Sequence, residues 1–440
     1  MVYGIDLGTT NSLIGRGDKI YTDLVSSNVD IQQKRQVPRE ACGDGVISSY
    51  KVNMSKGDSG KLSIACSTIV LRELVDRVKK GFSEVVKDVV ISVPAFFTTS
   101  QREAVYDAAE CAGLNVRALI NEPTAAALYV CKDVKDLVVV YDLGGGTFDV
   151  SIVDSRTGSY NVVASDGIIL GGDDLDKALA AEVLQKLSIP IRLRTAERVA
   201  KLKNLMRIAK EKIQKPGITN VEINLTSCFE GKSFVLTEYD YKRIVREVFG
   251  KTIDMTKHIV ATQLPAYEKA KIVFVGGSAM CPYLREMLAE EVELEEVASD
   301  VATDCVVAKG VALYAKMVEE GKAGSSIIDV TKGLAIEDEN GKAIVIIEPN
   351  TCVPCKNTRT VVNTEENNKL SLKLYQGDSV LVSNMEYIGT LLYDYGRTVK
   401  PKDGVVEVAV EVTADGIVNL SAMEVLFGED FRQTIALALR

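Results

Sequence analysis

The chain has 440 residues, 46% hydrophobic and 26% charged, enough for about two to four globular domains with a large core. A net charge of −9 without a long basic run argues against a nucleic-acid partner. Nine cysteines without a secretory leader fit a reducing, cytoplasmic setting, and no apolar run nears the ~18 residues of a membrane span.

In chain order, Val2 to Leu7 is an apolar strand leading into Gly8-Thr9-Thr10-Asn11-Ser12, a turn rich in hydroxyl groups. Gly15 to Asp58 is polar and dotted with glycine, and by its own residues Lys51 reads as an ordinary surface lysine. Ile69, Leu71, Leu74, Val75 and Val78 give Ile64 to Phe82 a helical period, and Val85 to Val93 is a strand ended by Pro94. Thr98 and Gln101 signal the start of a helix that runs through Cys111 and stops at Gly113. A further helix, Ala125 to Cys131, follows Asn121-Glu122-Pro123-Thr124. The residue before a proline resists helical geometry, so Glu122 either projects its carboxylate from a strand-to-helix corner or serves as a plain cap.

Leu137 to Tyr141, Asp142-Leu143-Gly144-Gly145-Gly146-Thr147-Phe148-Asp149 and Val150 to Val153 read as a hairpin with three glycines in its turn. Consecutive glycines suit a backbone that approaches a ligand and points several N–H groups at it. A carboxylate at each end suits a hydrated divalent cation. The alternative is a glycine-rich hairpin with no ligand.

Gly171-Gly172-Asp173-Asp174 opens a helix toward Leu187 whose first N–H groups face a phosphate or ribose. Ala196 to Ile213 is a basic amphipathic helix, and Tyr239 to Gln263 is another helix. His258, the single histidine, is expected at the surface. Ile272 to Val275 is a strand ending in Gly276-Gly277-Ser278, Pro282 to Glu296 is helical, and Asp304 to Val318 completes the second lobe. Glu319 to Ser326 is a polar linker, after which short alternating strands replace helices, with Ala414-Asp415-Gly416 as a hairpin turn.

Two Asp-Leu-Gly hairpins imply a duplicated fold that clamps one ligand. Asp6 to Ser12, Asp142 to Ser151 and Val275 to Pro282 resemble the two phosphate motifs and the adenosine motif of the actin, hexokinase and heat-shock ATPases. Val93-Pro94-Ala95-Phe96-Phe97, Asn121 to Ala127 and Gly171 to Asp174 narrow the resemblance to DnaK-type 70-kDa heat-shock chaperones. It implies an α/β actin-like (ribonuclease H-like, duplicated) ATPase domain followed by an all-β sandwich. The implied boundaries are 1–323, a linker 324–330 that includes Ile327, Ile328 and Asp329, and a peptide-binding sandwich 331–440. The chain stops at Arg440, where typical members continue into a helical lid, and is short between Lys51 and Pro94, as if the outer subdomain were trimmed.

The resemblance implies ATP or ADP with Mg²⁺, with K⁺ also admitted, and slow hydrolysis. Asp6 and Asp142 would hold the water shell of the metal. Gly8, Thr9, Thr10, Asn11, Gly144, Gly145, Gly146 and Thr147 would contact phosphates. Lys51 would orient the attacking water or stabilise the γ-phosphate, with Glu122 and Asp149 completing the polar cage. Gly171, Gly172, Asp173, Lys212, Gly276, Gly277, Ser278, Met280 and Asp304 would surround the nucleoside, and Pro94 and Arg102 would relay its state to the other domain.

Met280 stands where the family has an arginine against adenine, and Lys210 to Pro216 keeps only Lys212 of the family's adenosine contacts. The family arginine that engages J-domain partners falls on Ala118, which leaves J-domain and exchange-factor coupling open. In the sandwich, Ile336 and Leu370 fall at apolar cleft positions, while Glu339 and Glu365 fall where an apolar pair arches over bound peptide. Cys352-Val353-Pro354-Cys355 reads as strand and loop residues, lacking a thioredoxin-like context or a second cysteine pair. Three functions compete: a chaperone for extended polypeptides, a nucleotide-switched module for one dedicated partner, and a small-molecule kinase, which the linker and sandwich disfavour.

Overall fold

A computed structural model describes residues 1–41, 45–54, 57–132, 135–264, 269–297, 302–323, 327–425 and 433–436. Gly324, Ser325 and Ser326 of the expected linker lie outside them, as do the side chains of Ile327 and Ile328.

The first lobe is built on β1 (Val2–Leu7), β2 (Asn11–Arg16), β3 (Lys19–Ile20) and β4 (Val25–Ser26), followed by a small sheet of β5 (Val29–Asp30), β6 (Arg35–Gln36) and β7 (Val46–Ile47). A short 3-10 turn, Tyr50–Asn53, precedes α1 (Gly57–Phe82), β8 (Asp88–Val93), α2 (Thr99–Cys111), β9 (Asn115–Asn121) and α3 (Glu122–Val130). β8 runs parallel to β1 and to β9, because helices cross over between them, while β1 and β2 form the tight hairpin. Thr98 and Gln101 make the expected capping box. Glu122 begins α3 rather than preceding it, since Pro123 is tolerated in a first turn.

The second lobe repeats the scheme. It holds β10 (Leu137–Leu143), β11 (Phe148–Asp154), β12 (Tyr160–Ile168), α4 (Gly172–Lys186), α5 (Ala196–Ile213), β13 (Asn220–Asn224) and β14 (Ser233–Thr237). α6 (Glu238–Gln263), β15 (Lys271–Val275), α7 (Pro282–Glu291), β16 (Glu295–Glu296) and α8 (Val306–Glu319) follow. Every residue of β10 is buried, as the continuous apolar run requires of a strand covered on both faces. α7 ends at Glu291, five residues before the expected end, and the chain returns to the sheet as β16. His258 is exposed.

α8 does not complete the second lobe; it packs on the first. A Cβ on Gly4 of β1 would meet the Val311 and Ala312 backbone at 2.5 Å, and one on Gly310 would overlap the Ala125 carbonyl of α3. Gly4 and Gly310 thus let α8 lie against β1 and α3, a contact that only the folded chain reveals.

β17 (Ile327–Thr331) pairs parallel with β12 and antiparallel with β20, joining the second lobe to the β-domain. That domain holds β18 (Leu334–Glu337), β19 (Ala343–Ile347), β20 (Thr351–Val353), β21 (Cys355–Val362), β22 (Asn367–Gln376), β23 (Glu386–Val399), β24 (Val405–Val412), β25 (Val418–Glu424) and β26 (Gln433–Ala436). Its two four-stranded sheets run β19-β18-β22-β23 and β21-β24-β25-β26, with Leu334, Leu372, Val408, Val410 and Leu420 among the side chains of one core. Cys352 and Cys355 are free thiols on β20 and β21. Among the described residues, no helix is long and apolar enough to cross a membrane.

Candidate functional site

The two hairpin turns face each other across the lobes. In the first, Asp6 pairs with Leu13 and Leu7 with Ser12; in the second, Asp142 pairs with Asp149 and Leu143 with Phe148. A Cβ on Gly145 would overlap the Thr10 hydroxyl, and one on Gly146 would stand 2.7 Å from the Thr9 methyl. Gly8 is pressed against the Asn11 carbonyl in the same way. Gly172 donates its N–H to the Gly144 carbonyl at 3.0 Å and Asp173 to that of Gly145 at 2.7 Å, which seats the first turn of α4 behind the second hairpin. Gly171 lies 2.5 Å, measured from a would-be Cβ, from the Gly145 backbone, and Gly172 packs on the Ser278 hydroxyl. Gly276, at φ 84°, turns the end of β15 against the Leu143 carbonyl, a conformation in which a side chain would be strained.

Beneath the turns is a cage of charge. Lys51, 2% exposed, places its Nζ 2.7 Å from Glu122 Oε1 and 5.5 Å from the centre of the Phe97 ring. Ser92 donates to Asp6 Oδ1 at 2.9 Å, and the Ala95 N–H donates to Asp149 Oδ1 at 2.9 Å. Burial, reinforced by the Glu122 charge, pushes Asp6 up to about 7. Burial and then Glu122 likewise hold Asp142 and Asp149 above the usual carboxylate range. Half-buried Asp6 and buried Glu122, Asp142 and Asp149 are more acid groups than the Lys51 ammonium can pair, so an added cation would favour their ionised forms.

A cavity enclosing about 600 Å³, partly open to solvent, sits over this cage. Thr9, Thr10, Asn11, Gly144, Gly145 and Thr147 line one side and Gly276, Gly277, Thr303 and Asp304 the other. The Thr10 and Thr303 hydroxyls are buried there without a hydrogen-bond partner in the protein, as expected of groups aimed at a ligand. An adjoining cavity of about 720 Å³ shares Thr9 and Thr10 and runs between the lobes past Ser49, Arg39, Asp173 and α5. There the Ser49 hydroxyl donates to the Asp173 carboxylate.

Two expected nucleoside contacts are displaced. Lys212 is exposed on the outer side of α5, and the cleft is lined by Ala200, Lys203, Asn204 and Arg207. Those positions share a helical face at i, i+3, i+4 and i+7, the signal that could have located them. Lys210 is spent on α4, 2.7 Å from Asp176. Met280 is 54% exposed and lines neither cavity, because the 3-10 turn Gly277–Met280 rolls it outward. Arg39, missed from the sequence, reaches across from the first lobe, with Nη1 3.5 Å from Glu211, which also pairs with Arg207 at 3.1 Å.

A chain of contacts leaves the cage. Pro94 is buried and accepts the Phe97 N–H at 3.1 Å. Arg102, buried, donates to the carbonyls of Ala95 and Phe97, to Asn121 Oδ1 at 2.7 Å and to the Asp415 carbonyl of the β-domain at 3.2 Å. Burial lowers its basicity, though Asp329 partly opposes this. Asn121 and Thr124 donate to Asp329 Oδ2 at 2.7 and 3.0 Å, and Tyr106 donates to Asp415 Oδ2 at 2.7 Å. Ile327 and Ile328 pair through their backbones with Tyr160 and Asn161 of β12.

The expected peptide cleft is not formed at the positions read from the sequence. Ile336, 2% exposed, is part of the sandwich core, and Leu370 is half-buried against it, opposite Tyr393. Glu339 is exposed in the β18–β19 turn and Glu365 in the loop before β22. Strand pairing, invisible in the local sequence, decides which side of β18 is covered.

Residues 48–438 match the family model described as "Hsp70 protein". The "Chaperone protein DnaK" of Mycoplasma mobile is 31% identical over 470 aligned positions, covering 96% of this chain and 76% of that protein. With two glycine turns closing on a carboxylate cage and a β-sandwich joined by a strand, the chain belongs to the Hsp70 family of ATP-dependent chaperones.

Proposed function

We propose that residues 1–323 bind ATP with Mg²⁺ and hydrolyse it slowly, and that nucleotide state controls polypeptide binding by residues 331–440 through the linker 324–330. The reading is carried by one observation: Gly145 of one turn meets Thr10 of the other, and both line the same cavity as Glu122, the partner of Lys51.

The groups present fit a nucleotide and its metal. Thr10 and Thr303 offer unspent hydroxyls, the glycine turns leave room for phosphate oxygens, and the carboxylate surplus matches a cation. Asp6 and Asp142 would hold Mg²⁺ through water; the ion neutralises phosphate charge when bound. No cluster of three or more His, Cys, Asp or Glu among the described residues could grip an ion directly, so a hydrated form suits the site. Lys51 stabilises negative charge at the terminal phosphate and positions the attacking water, while Glu122 holds its ammonium in place. Thr147 and the Gly144 to Gly146 turn orient the phosphates. Hydrolysis is slow because the nearest carboxylate, Glu122, is engaged by Lys51 and no histidine is at hand. Lys203, Asn204, Arg207, Arg39 and Asp173 take the nucleoside side in place of Lys212 and Met280.

The test is calorimetric titration with ATP, ADP and GTP, with and without Mg²⁺, on the parent chain and Asp142→Asn. Unchanged binding and turnover in the variant would remove the carboxylate assignment. A second reading, a nucleotide-switched module for one dedicated partner, is favoured by the burial of Ile336, which removes the expected cleft wall. A peptide-array screen separates them: broad capture of apolar segments supports the chaperone, and none supports the module.

A further inference from the structure

A groove on the outer face of the first lobe shares no lining residue with the nucleotide cleft. Its cavity volume is about 570 Å³, partly open to solvent and within the ~300–1,000 Å³ of small-molecule sites. Its floor is one stripe of α1, from Lys61 to Asp76, roughly 22 Å long at 1.5 Å per residue. The turn between β5 and β6 and the last residue of α2, Cys111, form the walls.

The floor is apolar in the middle: Ile64, Ala65 and Ile69 are only half-buried, and Ile31 of the hairpin faces the same space. The rim is basic. Lys34 and Arg35 are exposed on the hairpin and make no ion pair among the described residues; Lys61 and Arg72 also line the groove, Lys61 3.7 Å from Asp58 and Arg72 donating to the Cys111 carbonyl. Against these four stand Glu73 and Asp76, and Glu73 is already held by Arg77 at 2.7 Å. A net positive groove is out of keeping with a chain of net charge −9. The hairpin is braced from within, since Asp30 Oδ1 accepts the N–H groups of Gln32 and Gln33 at 3.0 and 2.9 Å, which fixes where its cations stand. The methylene stems of the lysines and arginines extend the apolar lining toward their charged ends.

We propose that this groove binds a free long-chain carboxylate, its acyl chain along Ile64, Ala65 and Ile69 and its head against the Lys34–Arg35 rim. An apolar trough edged at one end by Lys34 and Arg35, neither of them in an ion pair among the described residues, matches an amphipathic anion. A neutral apolar molecule would leave the cations unused, and an amphipathic cation would be repelled.

The test is calorimetric titration of the full chain with dodecanoate below its micelle concentration. Saturable one-to-one binding is expected, weakening roughly tenfold for each two carbons removed, through decanoate to octanoate. The double variant Lys34→Glu, Arg35→Glu should bind at least tenfold more weakly while its melting temperature and ATP affinity stay at parent values. Ala65→Trp, which fills the trough without touching the charges, should abolish binding, and it decides the matter if the double variant fails to fold. Dodecyltrimethylammonium binding as tightly as dodecanoate, chain-length independence, or no saturable binding would overturn the proposal. So would co-sedimentation with anionic phospholipid vesicles in the absence of dodecanoate binding, which would mark a surface for membranes and not a pocket. None of these outcomes bears on the nucleotide site.

Discussion

Lys51 shows what a single residue owes to its surroundings. In the sequence it is one lysine in a polar stretch; in the fold it is almost wholly buried, paired with Glu122 and capped by Phe97. Lys51→Ala should cut single-turnover hydrolysis by about 100- to 1,000-fold, the usual loss when one charge-stabilising donor goes, while ATP still binds. Equal losses in affinity and rate would mean that Lys51 only holds the site together. Gly145→Ala should weaken ATP binding at least as much as it lowers thermal stability, because its Cβ would fall on the Thr10 hydroxyl at the meeting point of the turns. Calorimetry beside a melting curve separates the two effects. At the mouth of the cleft, Glu211→Ala removes the carboxylate that Arg39 and Arg207 share, while Arg207 keeps Glu40 and Asn204. Such part-exposed pairs contribute only ~0–1 kcal/mol, so stopped-flow release of a labelled nucleotide should speed up by a few-fold at most.

Between elements, close approach decides the outcome. α8 lies on β1 and α3 only because Gly310 and Gly4 carry no side chain. Gly310→Ala should therefore destabilise the first lobe by about 1–3 kcal/mol, an overpacking cost readable by calorimetric melting. The strand β17 is held by Asp329 to Asn121 and Thr124, and the Ala414-Asp415-Gly416 turn is held by Arg102 and Tyr106. Arg102→Ala removes a buried cation that links both, leaving their acceptors short of a donor. Proteolysis of the segment around residues 319–331 should then lose its dependence on ATP, whereas retained ATP dependence would mean that the relay runs elsewhere.

For the whole molecule, nucleotide and metal should act as one stabilising ligand. A ligand at about 100 times its dissociation constant adds about 2.7 kcal/mol to the folded state, a shift of a few degrees for a protein this size. The shift with ATP and Mg²⁺ should exceed that with ATP and a chelator, because the surplus carboxylates at Asp6 and Asp142 oppose an unescorted triphosphate.

The local chemistry of this chain was readable from its residues. The glycine turns, the strand runs beside them, the Thr98–Gln101 capping box, the Pro94 stop and the shift to short strands after residue 330 all depend on neighbours within a few positions. Those are the distances over which backbone conformation and hydrogen-bonding chemistry act. Motif resemblance extended this to Lys51 and Arg102, whose partners lie 71 and 313 residues away. What the residues could not settle was which face of an element would be covered. Lys212 against Lys203, the outward roll of Met280, the burial of Ile336 and the seat of α8 on the first lobe all turn on that question. A face is buried by what the rest of the chain brings against it, and only the packed molecule makes that choice.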